Sequence, residues 1–200
     1  MADLELPLSA LWNHRRGELL CQESAFRVLF AIDSRSSRLV TMLPGSAAHG
    51  VEGTLCIPDD TEDSLQLLVQ IEPTTEDESP TAADRFAGYH GSGHRGILCV
   101  LEVAGGKIAG IVLDPGDIPL ENPLLAHEGR LLKVLNGDRA RLQAMVNRRL
   151  GTTLHDALAV GIDPRGIDIR ATEGVFRITF VKFAEQPAAA EARIADLFAV

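Results

Sequence analysis

Basic charge, paired cysteines and long apolar runs are all scarce in this chain of 200 residues, and each shortage narrows its role. Lys and Arg number 19 against 28 Asp and Glu, for a formal net charge of −9. Non-specific binding to DNA or RNA depends on cations that neutralise phosphates, so nucleic acid is not an expected partner, nor is an anionic membrane surface. The three cysteines, Cys21, Cys56 and Cys99, are widely spaced and include no Cys-x-x-Cys pair. They predict reduced, buried thiols rather than a disulfide framework or a thiolate zinc site. No apolar run approaches the roughly 20 residues that span a bilayer. The start, Met1-Ala2-Asp3-Leu4-Glu5-Leu6, lacks the basic and apolar regions of a secretory leader. A cytoplasmic protein is the expectation.

What is present is an ordinary globular composition, 46% hydrophobic and 24% charged, with enough length for one large domain or two small ones. Leu8–Leu20 reads as a helix interrupted by Gly17, and Phe26–Ile32 as an apolar run open to either helix or strand. Arg38–Leu43, Gly50–Ile57 and Leu65–Ile71 read as strands separated by Pro44-Gly45 and Pro58-Asp59-Asp60. Glu72–Ser79 is an acidic loop carrying Glu72, Glu76, Asp77 and Glu78. Thr81-Ala82-Ala83-Asp84 has the form of a capping box opening a short helix through Phe86 and Tyr89. Ile97–Val103 reads as a strand turning at Gly105-Gly106 into Lys107–Leu113.

Asn122-Pro123 opens a helix that Asn136-Gly137 stops, and Asp138 caps another with the stripe Leu142, Met145, Val146 and Leu150. The order within Gly161-Ile162-Asp163-Pro164-Arg165-Gly166-Ile167-Asp168-Ile169 is that of a turn between two apolar segments, with Asp163 initiating it and Gly166 supplying a left-handed residue. A strand over Val175–Phe183 and a helix after Pro187 close the chain. The sum is an α+β protein with an antiparallel sheet that forms a small barrel.

Two motifs carry a resemblance. Gly161–Ile169, followed by Arg177-Ile178-Thr179-Phe180, is similar to the C-terminal module of haem-utilisation proteins. That module is appended to a split β-barrel like that of pyridoxamine 5'-phosphate oxidase, which the strand pattern of residues 38–113 resembles in architecture. The resemblance implies a split-barrel domain over residues 1–118, a helical and α+β module over 119–200, a homodimer, and a small-molecule ligand or flavin mononucleotide (FMN) bound between two barrels. If the protein is an enzyme, it is then an FMN-dependent oxidoreductase. Haem is the alternative cofactor. The module's first motif, a His-Met-Asn-x-Asp-His helix start, here reads Val134-Leu135-Asn136-Gly137-Asp138-Arg139, keeping Asn and Asp but neither His. The acidic loop lies where flavin-binding members hold the phosphate, and it would repel a dianion. A cofactor-free binding or regulatory module on a degenerate barrel is therefore the second reading.

The cluster Arg85-Phe86-Ala87-Gly88-Tyr89-His90-Gly91-Ser92-Gly93-His94-Arg95 is the candidate site. Its backbone N–H groups can form an anion nest and its guanidinium groups can bind phosphate bidentately. Arg85, His90, His94 and Arg95 are the candidate cofactor contacts, with Thr74 and Thr75 as further donors; the plain alternative is a basic turn balancing the acidic loop. No metal site is expected, because three glycines break the helix that a His90/His94 pair would need. His127-Glu128 reads as a surface feature and His155-Asp156 as a loop pair, and no catalytic acid or base is marked.

Overall fold

The structure, a computed structural model, describes residues 2–199, with side chains from residue 8 onward. Residues 1–121 and 122–200 form two compact units.

The first unit begins with helix α1 (Ala2–Asn13) and strands β1 (Arg16–Cys21), β2 (Ser24–Asp33) and β3 (Arg38–Leu43). The helix expected over Leu8–Leu20 thus divides into a helix and a strand. Arg15 folds back to donate from Nη1 to the carbonyls of Leu11 and Trp12 at 3.0 and 3.2 Å. It thereby satisfies the orphan acceptors at the helix end. From Arg16 the chain alternates, with Gly17, Leu19 and Cys21 facing inward. The adjacent Leu19 and Leu20 conceal that period in the sequence. A side chain at position 17 would meet the Cys56 carbonyl at 2.6 Å, so glycine there serves a close approach.

A four-residue helix, α2 (Gly45–Ala48), leads to β4 (Glu52–Ile57), β5 (Leu65–Pro73), helix α3 (Pro80–His90), β6 (Ile97–Ile108) and β7 (Ile111–Leu113). The antiparallel order is β3-β2-β1-β4-β5-β6-β7, and a further β3–β6 pairing closes six strands into a barrel with β7 as an extra strand. Leu19, Phe30, Leu39, Leu55, Leu67 and Leu101 fill it with no exposed surface. Each such leucine contributes about 2 kcal/mol by leaving water. Gly105-Gly106 makes no hairpin. Both continue β6 opposite Leu68 and Leu67, and a side chain at 106 would meet the Gln66 carbonyl at 3.0 Å. The turn falls instead at Ala109-Gly110, where both φ angles are positive. Helix α3 begins at Pro80, with no side-chain cap from Ser79. It packs Ala82 and Phe86 on Val40, Leu98 and Val100 outside the barrel.

The second unit holds α4 (Leu125–Asn136), α5 (Arg139–Leu150), the antiparallel strands β8 (Leu158–Asp163), β9 (Gly166–Ala171) and β10 (Gly174–Thr179), and α6 (Pro187–Phe198). Asp138 caps α5 by accepting from the Arg141 N–H at 2.9 Å, and Gly151 ends it in the left-handed region. Gly166 is not left-handed: glycine is needed because a side chain would lie 2.3 Å from the Ile178 carbonyl on β10. The last strand stops at Thr179, since the Phe180 N–H turns to the Arg165 carbonyl at 2.7 Å.

Residues at the start and end of α4 do more than start and stop a helix. Asn136 donates to the Ala159 carbonyl and accepts from the Ala159 N–H, both at 2.9 Å. Asn122 donates to the Ile162 carbonyl at 2.8 Å. Glu128 is buried rather than a surface feature, and it accepts from the Ile162 N–H. Helix α4 and its entry therefore supply the partners that another strand would give β8, which blunts a sheet edge.

Candidate functional site

The first unit contains a cavity of about 350 Å³ over the outer face of β3 and β6. Its apolar wall comes from Met42, Phe86, Ile97 and Leu98, and its polar rim from Thr74, Thr75, Glu76, Ser92 and His94. Helix α3 builds one side because Phe86 must bury its ring against the barrel. Gly91, Gly93 and Gly96, all at positive φ, bend the chain around another side. A side chain at Gly96 would lie 2.7 Å from the Leu43 carbonyl, so this segment lies close on β3.

Of the four candidate cofactor contacts, His94 alone lines this cavity. Arg85 turns to the barrel, donating from Nε to the Ile32 carbonyl at 3.0 Å and from Nη2 to the Tyr89 hydroxyl at 3.3 Å. Its guanidinium carbon lies 4.8 Å from the centre of the Tyr89 ring. His90 holds the Phe30 carbonyl at 2.9 Å through Nε2, and His94 holds the His90 carbonyl at 2.8 Å in the same way. Arg85 and His90 therefore fasten α3 to β2. Arg95 is exposed beside the cavity. Among the described residues no group of three His, Cys, Asp or Glu side chains is arranged to hold a metal.

The acidic turn is largely self-satisfied. Thr74 donates its hydroxyl to Ser79 at 3.0 Å, and Thr75 donates N–H and hydroxyl to Glu78 at 3.2 and 3.1 Å. Glu76 lines the cavity and makes no hydrogen bond or ion pair to any described residue. The sequence marked it only as one of four acids in a loop; nothing in a single chain told which of them faces a cavity. Residues 1–121 carry 19 acidic side chains against 8 basic ones, so the surrounding field disfavours anions.

Elsewhere the charged motifs are structural. Arg177 Nη2 lies 2.6 Å from Asp163 and Nη1 3.1 Å from Asp168, with all three side chains no more than 7% exposed. Burial alone would lower the Arg177 pKa, but Asp168 and Asp163 hold it above its ordinary value. Asp163 also accepts the Arg165 N–H at 2.7 Å, forming the turn expected there. His155 pairs with Glu173 at 2.5 Å, not with Asp156. That hydrogen bond raises the His155 pKa in an exposed position. The thiols of Cys56 and Cys99 are pushed up to about 11 by burial, with Asp60 adding to the effect at Cys56. Such thiols are not nucleophiles at neutral pH. No helix of the described residues is long and apolar enough to cross a membrane.

No protein-family model and no curated protein matches the chain. Among solved structures, it is similar to the protein Atu2129, of unknown function, from Agrobacterium tumefaciens str. C58. The TM-score is 0.70 at 17% identity, covering 98% of this chain and 95% of that one. A heme-binding protein from Mycobacterium smegmatis aligns at a TM-score of 0.47 and 19% identity, over 97% and 95% of the two chains. The first likeness establishes a shared fold, and the second is too loose to carry an argument.

Proposed function

We propose that this protein is a small-molecule-binding module on a split-barrel scaffold, with its ligand site in the cavity beneath α3, and that it holds no flavin through a phosphate. One observation carries this reading. Of the six candidate donors for a phosphate, five are engaged within the chain: Thr74, Thr75, Arg85, His90 and His94. Only Arg95 remains, while Glu76 lines the cavity with a negative charge. Breaking internal hydrogen bonds to bind a dianion beside a carboxylate costs more than one exposed arginine returns. FMN thus does not fit this site. Haem fits no better, since its two propionates would meet the Glu76 carboxylate and the acidic surroundings. The expected result is a colourless purified protein, unchanged in absorption after gel filtration from excess FMN or haemin. A retained flavin spectrum or Soret band would overturn the reading.

The same scaffold supports a homodimer. Across the outer barrel face runs a row of Ala25, Leu20, Thr54 and Leu68 in register, and Leu68 is 47% exposed. Arg16 and Arg27 lie toward one end of this face, with Glu18 across from Arg27, and Glu23 and Glu52 lie toward the other. A two-fold axis along the row sets the two arginines of each copy against the two glutamates at the far end of the other. Leu68→Arg is expected to convert a dimer to monomer in sedimentation equilibrium; a wild-type monomer at tens of micromolar would remove the proposal.

A further inference from the structure

We propose that Glu76 makes the cavity selective for ligands that join an aromatic ring to a protonated amine. The inference rests on the cavity being the ligand site. Its wall is suited to a flat apolar group: Phe86 and His94 meet edge to face with ring centroids 5.6 Å apart, and Met42, Ile97 and Leu98 complete the lining. A ring entering there replaces water with contacts to these side chains. The polar demand at the rim is one-sided. Thr74, Thr75 and His94 already have partners, whereas the Glu76 carboxylate has none among the described residues. No Lys or Arg lines the cavity itself; Arg95, between the lining residues His94 and Gly96, is exposed beside it.

A carboxylate beside an apolar wall accepts most strongly from a charged N–H donor, less from a neutral hydroxyl, and repels an anion. Glu76 is exposed at the rim, so the gain is that of a solvated pair, about fivefold in affinity. The acidic surroundings act in the same direction on the encounter rate.

Benzylamine, benzyl alcohol and benzoate share a ring and differ in the group that would face Glu76. Titrating each into the full chain, followed by amide chemical shifts, separates the terms. Benzylamine is expected to bind about fivefold more tightly than benzyl alcohol, with benzoate weakest and the shifts concentrated on residues 74–76 and 91–97. In Glu76→Gln the amine and the alcohol should bind alike, with the alcohol's affinity unchanged. Equal affinity of amine and alcohol for the wild type, or a preference that survives in Glu76→Gln, would overturn the role of Glu76. If none of the three shifts these amides, the cavity itself fails as a ligand site.

Discussion

Replacing Arg177 by alanine is expected to destabilise residues 122–200 by about 3–5 kcal/mol, the cost of leaving buried charges without their partner. The guanidinium bridges Asp163 at the β8–β9 turn and Asp168 on β9 from its own place on β10, so all three strands depend on it. Removing it leaves two carboxylates facing each other in a site where none of the three side chains is more than 7% exposed. Arg177→Lys should recover little, because a single ammonium cannot reproduce the two-pronged geometry. Urea denaturation followed by circular dichroism measures the loss. A change below about 1 kcal/mol would mean that the pair is worth no more than a surface ion pair.

Asn136→Ala is expected to cost about 2–4 kcal/mol. Its amide makes two hydrogen bonds to one residue, and deletion orphans both the N–H and the carbonyl of Ala159, at about 1–3 kcal/mol for each unsatisfied group. Asn136→Asp should fare no better, since a carboxylate accepts from the N–H but faces the carbonyl without a proton. Hydrogen exchange gives a local readout: the Ala159 amide should lose protection in Asn136→Ala ahead of the barrel amides. Unchanged protection at Ala159 would show that water or a neighbouring group replaces the side chain.

These two residues also show where the sequence is legible. Composition and turn signals indicate an α+β protein with an antiparallel barrel, because Arg38–Leu43, Leu65–Ile71 and Ile97–Val103 carry short-range patterns that tertiary contacts reinforce. Asn136 and Asp138 are readable as stop and cap from their neighbours alone. That Asn136 reaches across to Ala159, or that Arg177 joins two aspartates, is long-range pairing with no local signature. The glycines misled for the same reason. Gly105, Gly106 and Gly166 suggest turns by type, but the last two are required because a Cβ there would come within 3.0 Å of the neighbouring strand, a constraint set by distant residues.

The candidate site divides likewise. The sequence singles out residues 85–95, since arginines, histidines and glycines concentrate there, and part of that segment lines the cavity. Side-chain direction is what it lacks. Arg85 and His90 lie on the side of α3 that meets β2, so they anchor the helix instead of facing a ligand. Glu76 and Phe86 line the cavity and attract no notice by type.

The most direct test is a paired equilibrium titration of FMN and riboflavin, followed by flavin fluorescence, because the two share a ring system and differ by the phosphate. The binding-module reading predicts that FMN binds no more tightly than riboflavin, and that Arg95→Ala, an exposed position that fastens no element, weakens neither. FMN binding at least tenfold tighter than riboflavin, and lost in Arg95→Ala, would contradict it and restore the flavin cofactor.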